Sequence, residues 1–133
     1  MNWFQKLSIV VTALSMFLVL IPPVNAEGLR VHDPGTCTAI ENHVYTGVDE
    51  TFPASVGKIY AFTKIVGAAT DTFVTHRWYY ENKLMAEVKL PVRSSNWRTF
   101  SSKNIIPEWT GQWTVDIADE DGTVIYTLPF TVK

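Results

Sequence analysis

Three histidines, one cysteine, a Ser-Ser-Lys run and several tryptophans beside arginine and lysine are the residues here whose types could do chemistry. His76 is the most tempting, because a neutral imidazole near pH 7 can ligate a metal or move a proton. His32 and His43 lie in other segments, and no two histidines stand at a ligand spacing such as i, i+2 on a strand. Side-chain parity places His76 on an apolar face between Val74 and Trp78. The expectation is a packed histidine hydrogen-bonded to backbone, with no catalytic residue and no metal ligand assigned. Ser101 and Ser102 fall in neither Gly-x-Ser-x-Gly nor Ser-x-x-Lys, and Ser102 and Lys103 point to opposite faces of a strand. Asp119, Asp121 and Gly122 look like part of a calcium loop, but the full loop needs more oxygen ligands and a distal Glu. They read as a hairpin turn.

Cys37 stands alone, so no internal disulfide can form. It could bridge to another chain or act as a reactive thiol; the expectation is a small buried hydrophobe. No Cys-x-x-Cys-His occurs, and no cofactor is implied. The aromatic residues carry more weight. Parity puts Trp78 and Trp113 inside, but it does not place Tyr79, Trp97, Arg98 or Trp109 there. Exposed aromatics beside Arg and Lys are how β-sandwich modules bind sugars, peptides or anionic groups. Tyr79, Trp97, Arg98, Lys103 and Trp109 therefore form the candidate ligand surface. The competing reading has Trp97 and Trp109 closing the ends of the sandwich.

Short β-type runs with turn signals between them must position these residues. Thr36 to Tyr45 reads as a first strand. Asp49 to Gly57 reads as a loop or edge piece, because Pro53 cannot donate to a ladder. Lys58 to Val66 reads as a central strand, and Gly67 to Thr70 as a turn. In the next hairpin Val74, His76, Trp78 and Tyr80 share a face, as do Leu84, Ala86, Val88, Leu90 and Val92. A three-residue loop, Glu81-Asn82-Lys83, pairs Tyr80 with Leu84, Trp78 with Ala86 and His76 with Val88. It also sets Arg77 across from Glu87. Asn96 to Ile105 is another strand, followed by a turn from Pro107 to Gly111. A last hairpin with loop Asp119–Gly122 pairs Ile117 with Val124 and Val115 with Tyr126. Pro129 implies that one edge of the final strand lacks a ladder partner there. About seven short strands with no amphipathic helix predict an all-β fold, an antiparallel immunoglobulin-like β-sandwich, with a small barrel as runner-up.

The N-terminus carries an address. Lys6 precedes an apolar run from Leu7 to Ile21. Pro22-Pro23 breaks any helix, and Val24-Asn25-Ala26 supplies the small residues that signal peptidase reads. Residues 1–26 are expected to be a secretory signal peptide cleaved between Ala26 and Glu27, with a retained N-terminal anchor as the alternative. The run is short of the roughly 20 residues that span a bilayer, so no membrane span is expected afterwards. Residues 27–35 read as a linker or arm and 36–133 as the domain. The leader takes one of the 11 basic residues and none of the 13 acidic ones, leaving a net charge of −3. Dispersed acidic charge argues against a nucleic-acid partner.

KIYAFTKIVGA (Lys58–Ala68), HRWYYENKLMAEVKLPVRS (His76–Ser94), NWRTFSSKNI (Asn96–Ile105) and GQWTVDIADEDGTVI (Gly111–Ile125) together resemble a bacterial family, the domain of unknown function numbered 2914. The resemblance implies an exported or envelope protein with a β-rich domain and carries over no reaction, substrate or site. The expected function is a non-catalytic binding or interaction module of the cell envelope, periplasmic or secreted. Its partner would be an envelope protein or polysaccharide. The alternative is a structural accessory subunit that joins a partner through a sheet edge or Cys37. A third possibility is an enzyme using His76 with Arg77 or Arg98.

Overall fold

The computed structural model describes residues 28–133, in which every helix or strand is a strand. Ten follow in order: β1 (Arg30–Cys37), β2 (Ala39–Glu41), β3 (Val44–Thr46), β4 (Thr51–Phe52), β5 (Gly57–Val66), β6 (Thr72–Tyr80), β7 (Lys83–Val92), β8 (Asn96–Ile105), β9 (Gly111–Ala118) and β10 (Val124–Val132). Seven have eight residues or more; six of these lie where strands were expected, and the first, β1, does not. They form two sheets, β1-β5-β8 and β10-β9-β6-β7, with β4 added parallel to the open side of β10 and β2-β3 as a separate hairpin. Setting β4 aside, the chain changes sheet between β5 and β6, β7 and β8, and β8 and β9. This three-on-four arrangement is an immunoglobulin-like sandwich.

Alternation of side chains builds the core. Ile59, Ala61 and Ile65 of β5 face Val74 and Trp78 of β6, Trp113, Val115 and Ile117 of β9, and Leu128, Phe130 and Val132 of β10. Trp78 and Trp113 are fully buried, as parity requires. Phe130 lies against both, stacked on Trp113 at 5.7 Å and edge-on to Trp78 at 6.0 Å. Each such pair adds about 0.5–1.5 kcal/mol beyond area burial.

The β6–β7 hairpin keeps the expected partners in its body: His76 with Val88, Arg77 with Glu87, Trp78 with Ala86. It reaches them differently. Its loop is two residues, Glu81 and Asn82, both with positive φ (46° and 64°) as the twist-matched hairpin turn demands. A bulge after Trp78 then restores the register, pairing Tyr79 with Leu84 and leaving Met85 as the extra residue. The bulge flips parity near the turn, so Met85 packs on the core and Leu84 is 46% exposed, contrary to the sequence expectation. Glu81 is held in its costly conformation from outside the hairpin. Its N–H donates to the Gln112 carbonyl at 3.0 Å, and its Oε1 accepts from the Gln112 N–H at 3.0 Å.

The last hairpin also corrects its expected register. Tyr126 pairs with Ile117 and Leu128 with Val115, with an irregularity between Val124 and Tyr126. The cause is a longer loop built around Asp119. Its carboxylate accepts from the N–H groups of Asp121 and Thr123, both at 3.0 Å. Leu128 and Phe130 stay inside, whereas Val124 and Tyr126 are exposed. As Pro129 implied, β10 there has a strand only on its β9 side, since β4 pairs at Thr131 and Val132 alone.

The stretch expected as an arm is part of β1, which pairs with β5 from Arg30 onward across a bulge between His32 and Gly35. Gly35 lets the Phe62 ring lie against the backbone; a Cβ there would come within 2.4 Å of it. The expected strand from Thr36 to Tyr45 is instead broken into the end of β1 and the β2–β3 hairpin, whose turn residues Asn42 and His43 both have positive φ.

Candidate functional site

His76 is fully buried on the inner face of β6, and Ser101 reaches it from β8 in the opposite sheet. His76 Nδ1 lies 2.6 Å from Ser101 Oγ, and Trp78 Nε1 donates to the same oxygen at 3.0 Å. The most complete bonding has the serine hydroxyl donating its one proton to Nδ1 and accepting from Trp78 Nε1. His76 Nε2 then carries the proton and has no protein partner. The histidine was expected to bond backbone; it bonds a side chain across the sandwich instead. Burial pushes its pKa down to about 4, so it is neutral at pH 7 and a poor base. A serine–histidine contact superficially resembles an activated nucleophile. Here no carboxylate orients the ring, and both side chains are closed off from solvent. The arrangement can pin the two sheets together.

The sequence-based ligand set is only partly assembled. Lys103 Nζ sits 4.9 Å from the Trp109 ring centre. Trp109 is half-buried and lies beside Trp113 at 6.0 Å, its carbonyl accepting from Trp113 Nε1 at 3.0 Å. Trp97 is also half-buried and packs on the core. Both tryptophans therefore cover the sandwich more than they offer a free platform. Arg98 is exposed and follows Trp97 on β8, so the two point to opposite faces. Tyr79 lies in the other sheet, paired with Thr114 and Leu84.

A different surface gathers Arg98. On the outer face of β1-β5-β8, Phe62 pairs with Phe100, Lys64 with Arg98, Tyr60 with Ser102 and Lys58 with Asn104. On the β1 side, His32 pairs with Lys64. Tyr45, from the β2–β3 hairpin, stacks on Phe62 at 3.9 Å, and Tyr60 lies 5.9 Å from Phe100. Phe100 itself is 47% exposed, although it sits mid-strand. This aromatic and cationic face was missed because its residues meet only across strands. One signal was available: β5 and β8 contain Lys58, Lys64, Arg98 and Lys103 but no Asp or Glu.

Among the described residues no group of three or more His, Cys, Asp and Glu could hold a metal. Asp119 spends Oδ1 on its own loop, as the hairpin-turn reading anticipated. Cys37 is free and buried at the end of β1, its thiol 3.4 Å from the Ala39 carbonyl, and burial raises its pKa. The expected cleavage site at Ala26 and Glu27 lies outside the described residues.

No curated protein matches this chain. The segment Lys58–Ala68, on which part of the resemblance was read, falls outside the region that does find a family. From the residue before β6 to the end of β10, residues 71–132, the chain matches the family described as "Protein of unknown function (DUF2914)", and it is this family that the chain resembles.

Proposed function

We propose that this chain is an exported, non-catalytic binding module of the bacterial envelope, and that it engages its ligand through the outer face of the three-stranded sheet. The observation that carries the proposal is the exposed ring of Phe100, with half-buried Tyr60 and Tyr45 near it on the face that also carries Lys64 and Arg98. An open ring beside arginine and lysine is the combination that binding surfaces draw on. The leader pattern around Lys6, the 7–21 apolar run and Ala26 supports export. The sealed His76–Ser101 contact supports a role without catalysis. Attachment through Cys37 is disfavoured by its burial, and Pro34 and Pro129 each remove an N–H from the edges of β1 and β10.

The test is co-sedimentation with washed bacterial envelope material, comparing wild type with Phe100→Ala/Arg98→Ala. Both positions are exposed, so the variant is expected to fold. Wild type is expected in the pellet and the variant in the supernatant. Equal sedimentation of the two proteins refutes the assigned surface, and a wild type that stays soluble refutes the binding role.

A further inference from the structure

We infer that the outer face of β1-β5-β8 binds an acidic polysaccharide, its carboxylates on the His32–Lys64–Arg98 row and its sugar rings on Phe100 and the neighbouring tyrosines. The inference rests on the binding-module reading and names its ligand class. Three observations lead to it. The first is an unfavourable arrangement left uncorrected. Lys64 stands directly across from Arg98, with His32 on its other side, and the two like charges of Lys64 and Arg98 in such positions oppose folding. Lys58, Lys64 and Arg98 make no ion pair among the described residues. The second is the contrast with the other sheet. There Arg77 is flanked by Glu87 and Asp116 as cross-strand neighbours and is bonded to Glu87 at 2.9 Å. The chain thus neutralises a cation on one outer face and leaves a row of them open on the other. Its net charge is −2, so this asymmetry is not a by-product of a basic composition.

The third observation is the combination of groups. Arg98 offers a planar donor fork that suits a carboxylate, and Lys64 offers a point charge. Phe100 and Tyr60 present apolar ring surface beside them. A chain of charged pyranoses needs both kinds of contact, repeated along an open surface. Three strands span about 10 Å, wide enough for successive sugars to lie across the row.

The experiment uses protein expressed from the full sequence and recovered from the bacterial envelope. Affinity electrophoresis is run through gels containing polygalacturonate or neutral dextran, at low and moderate salt. Retardation by polygalacturonate and none by dextran is expected, weakening as salt screens the contacts. Lys64→Gln/Arg98→Gln is expected to weaken binding about tenfold or more, from the loss of two charge-assisted contacts. Phe100→Ala should weaken it severalfold, and Lys89→Gln on the other sheet should leave it unchanged. Thermal melts of each variant confirm that the fold survives. Equal retardation by dextran, unchanged affinity in the double variant, or equal binding to single-stranded DNA or phosphatidylglycerol vesicles overturns the assignment. If polygalacturonate is not bound but envelope material still sediments wild type and not Phe100→Ala/Arg98→Ala, the binding role stands and the acidic-sugar assignment falls.

Discussion

His76 should make this domain acid-sensitive well above the range in which carboxylates titrate. In the folded chain the buried ring resists a proton until about pH 4, whereas in the unfolded chain it titrates near the ordinary 6.5. Between those values the unfolded state binds a proton that the folded state refuses, so stability increases with pH. The contribution is complete above pH 6.5 and is lost as pH falls toward 4. From pH 7.5 to 5 the loss works out at about 2 kcal/mol, and by pH 4 at about 3 kcal/mol. For a domain of this size 2 kcal/mol corresponds to a melting temperature lower by about 10 °C. Urea titrations followed by tryptophan fluorescence at pH 7.5 and 5.0 measure it directly, since Trp78 touches the same serine. His76→Phe and His76→Gln carry no titrating ring, and each is expected to flatten the slope whatever it does to absolute stability. His32 and His43 are exposed and remain in both variants as internal controls. Equal wild-type stability at the two pH values, or the same loss in both variants, refutes the reasoning.

Two further outcomes test the scaffold. Ser101→Ala strands the Trp78 indole N–H and His76 Nδ1 together in the core. At about 1–3 kcal/mol per orphaned group, it is expected to lower unfolding free energy by about 2–6 kcal/mol in urea titration; a change below about 0.5 kcal/mol would show that the contact pins nothing. Gly111→Ala places a Cβ 2.1 Å from Glu81 Oε1 at a φ of +125°. It is expected to cost about 1–3 kcal/mol in thermal melts, and Glu81→Ala in the same background should recover part of the loss by removing the clash.

Period-two alternation made the core legible: Val74, Trp78, Trp113, Val115 and Ile117 could be set inside from sequence because each lies in an unbroken stretch of strand. Parity failed where a bulge intervenes. Leu84 and Met85 exchange faces because the Glu81-Asn82 turn takes left-handed torsions at both residues, common for Asn but not announced by Glu81. Glu81 adopts them because Gln112, thirty-one positions away, holds it. The candidate surface was hidden for a related reason. Reading along the chain pairs Trp97 with Arg98, which a strand separates onto two faces. The meaningful neighbour of Arg98 is Lys64, and their register depends on strands separated by the whole β6–β7 hairpin. Loop-length arguments cannot reach across such an interval.

The single thiol sits beyond the main core, paired in register with Tyr60 on the outer side of its sheet and tucked beside the short hairpin that carries Tyr45. Two three-residue strands are a light cover, held there by the Tyr45–Phe62 stack and by hydrogen bonds such as that from the Asp49 N–H to the Thr36 carbonyl. Labelling of Cys37 by a thiol reagent can therefore proceed only as fast as that cover lifts. The chain thus contains its own chemical stopwatch for local opening, readable while the rest of the sandwich stays shut.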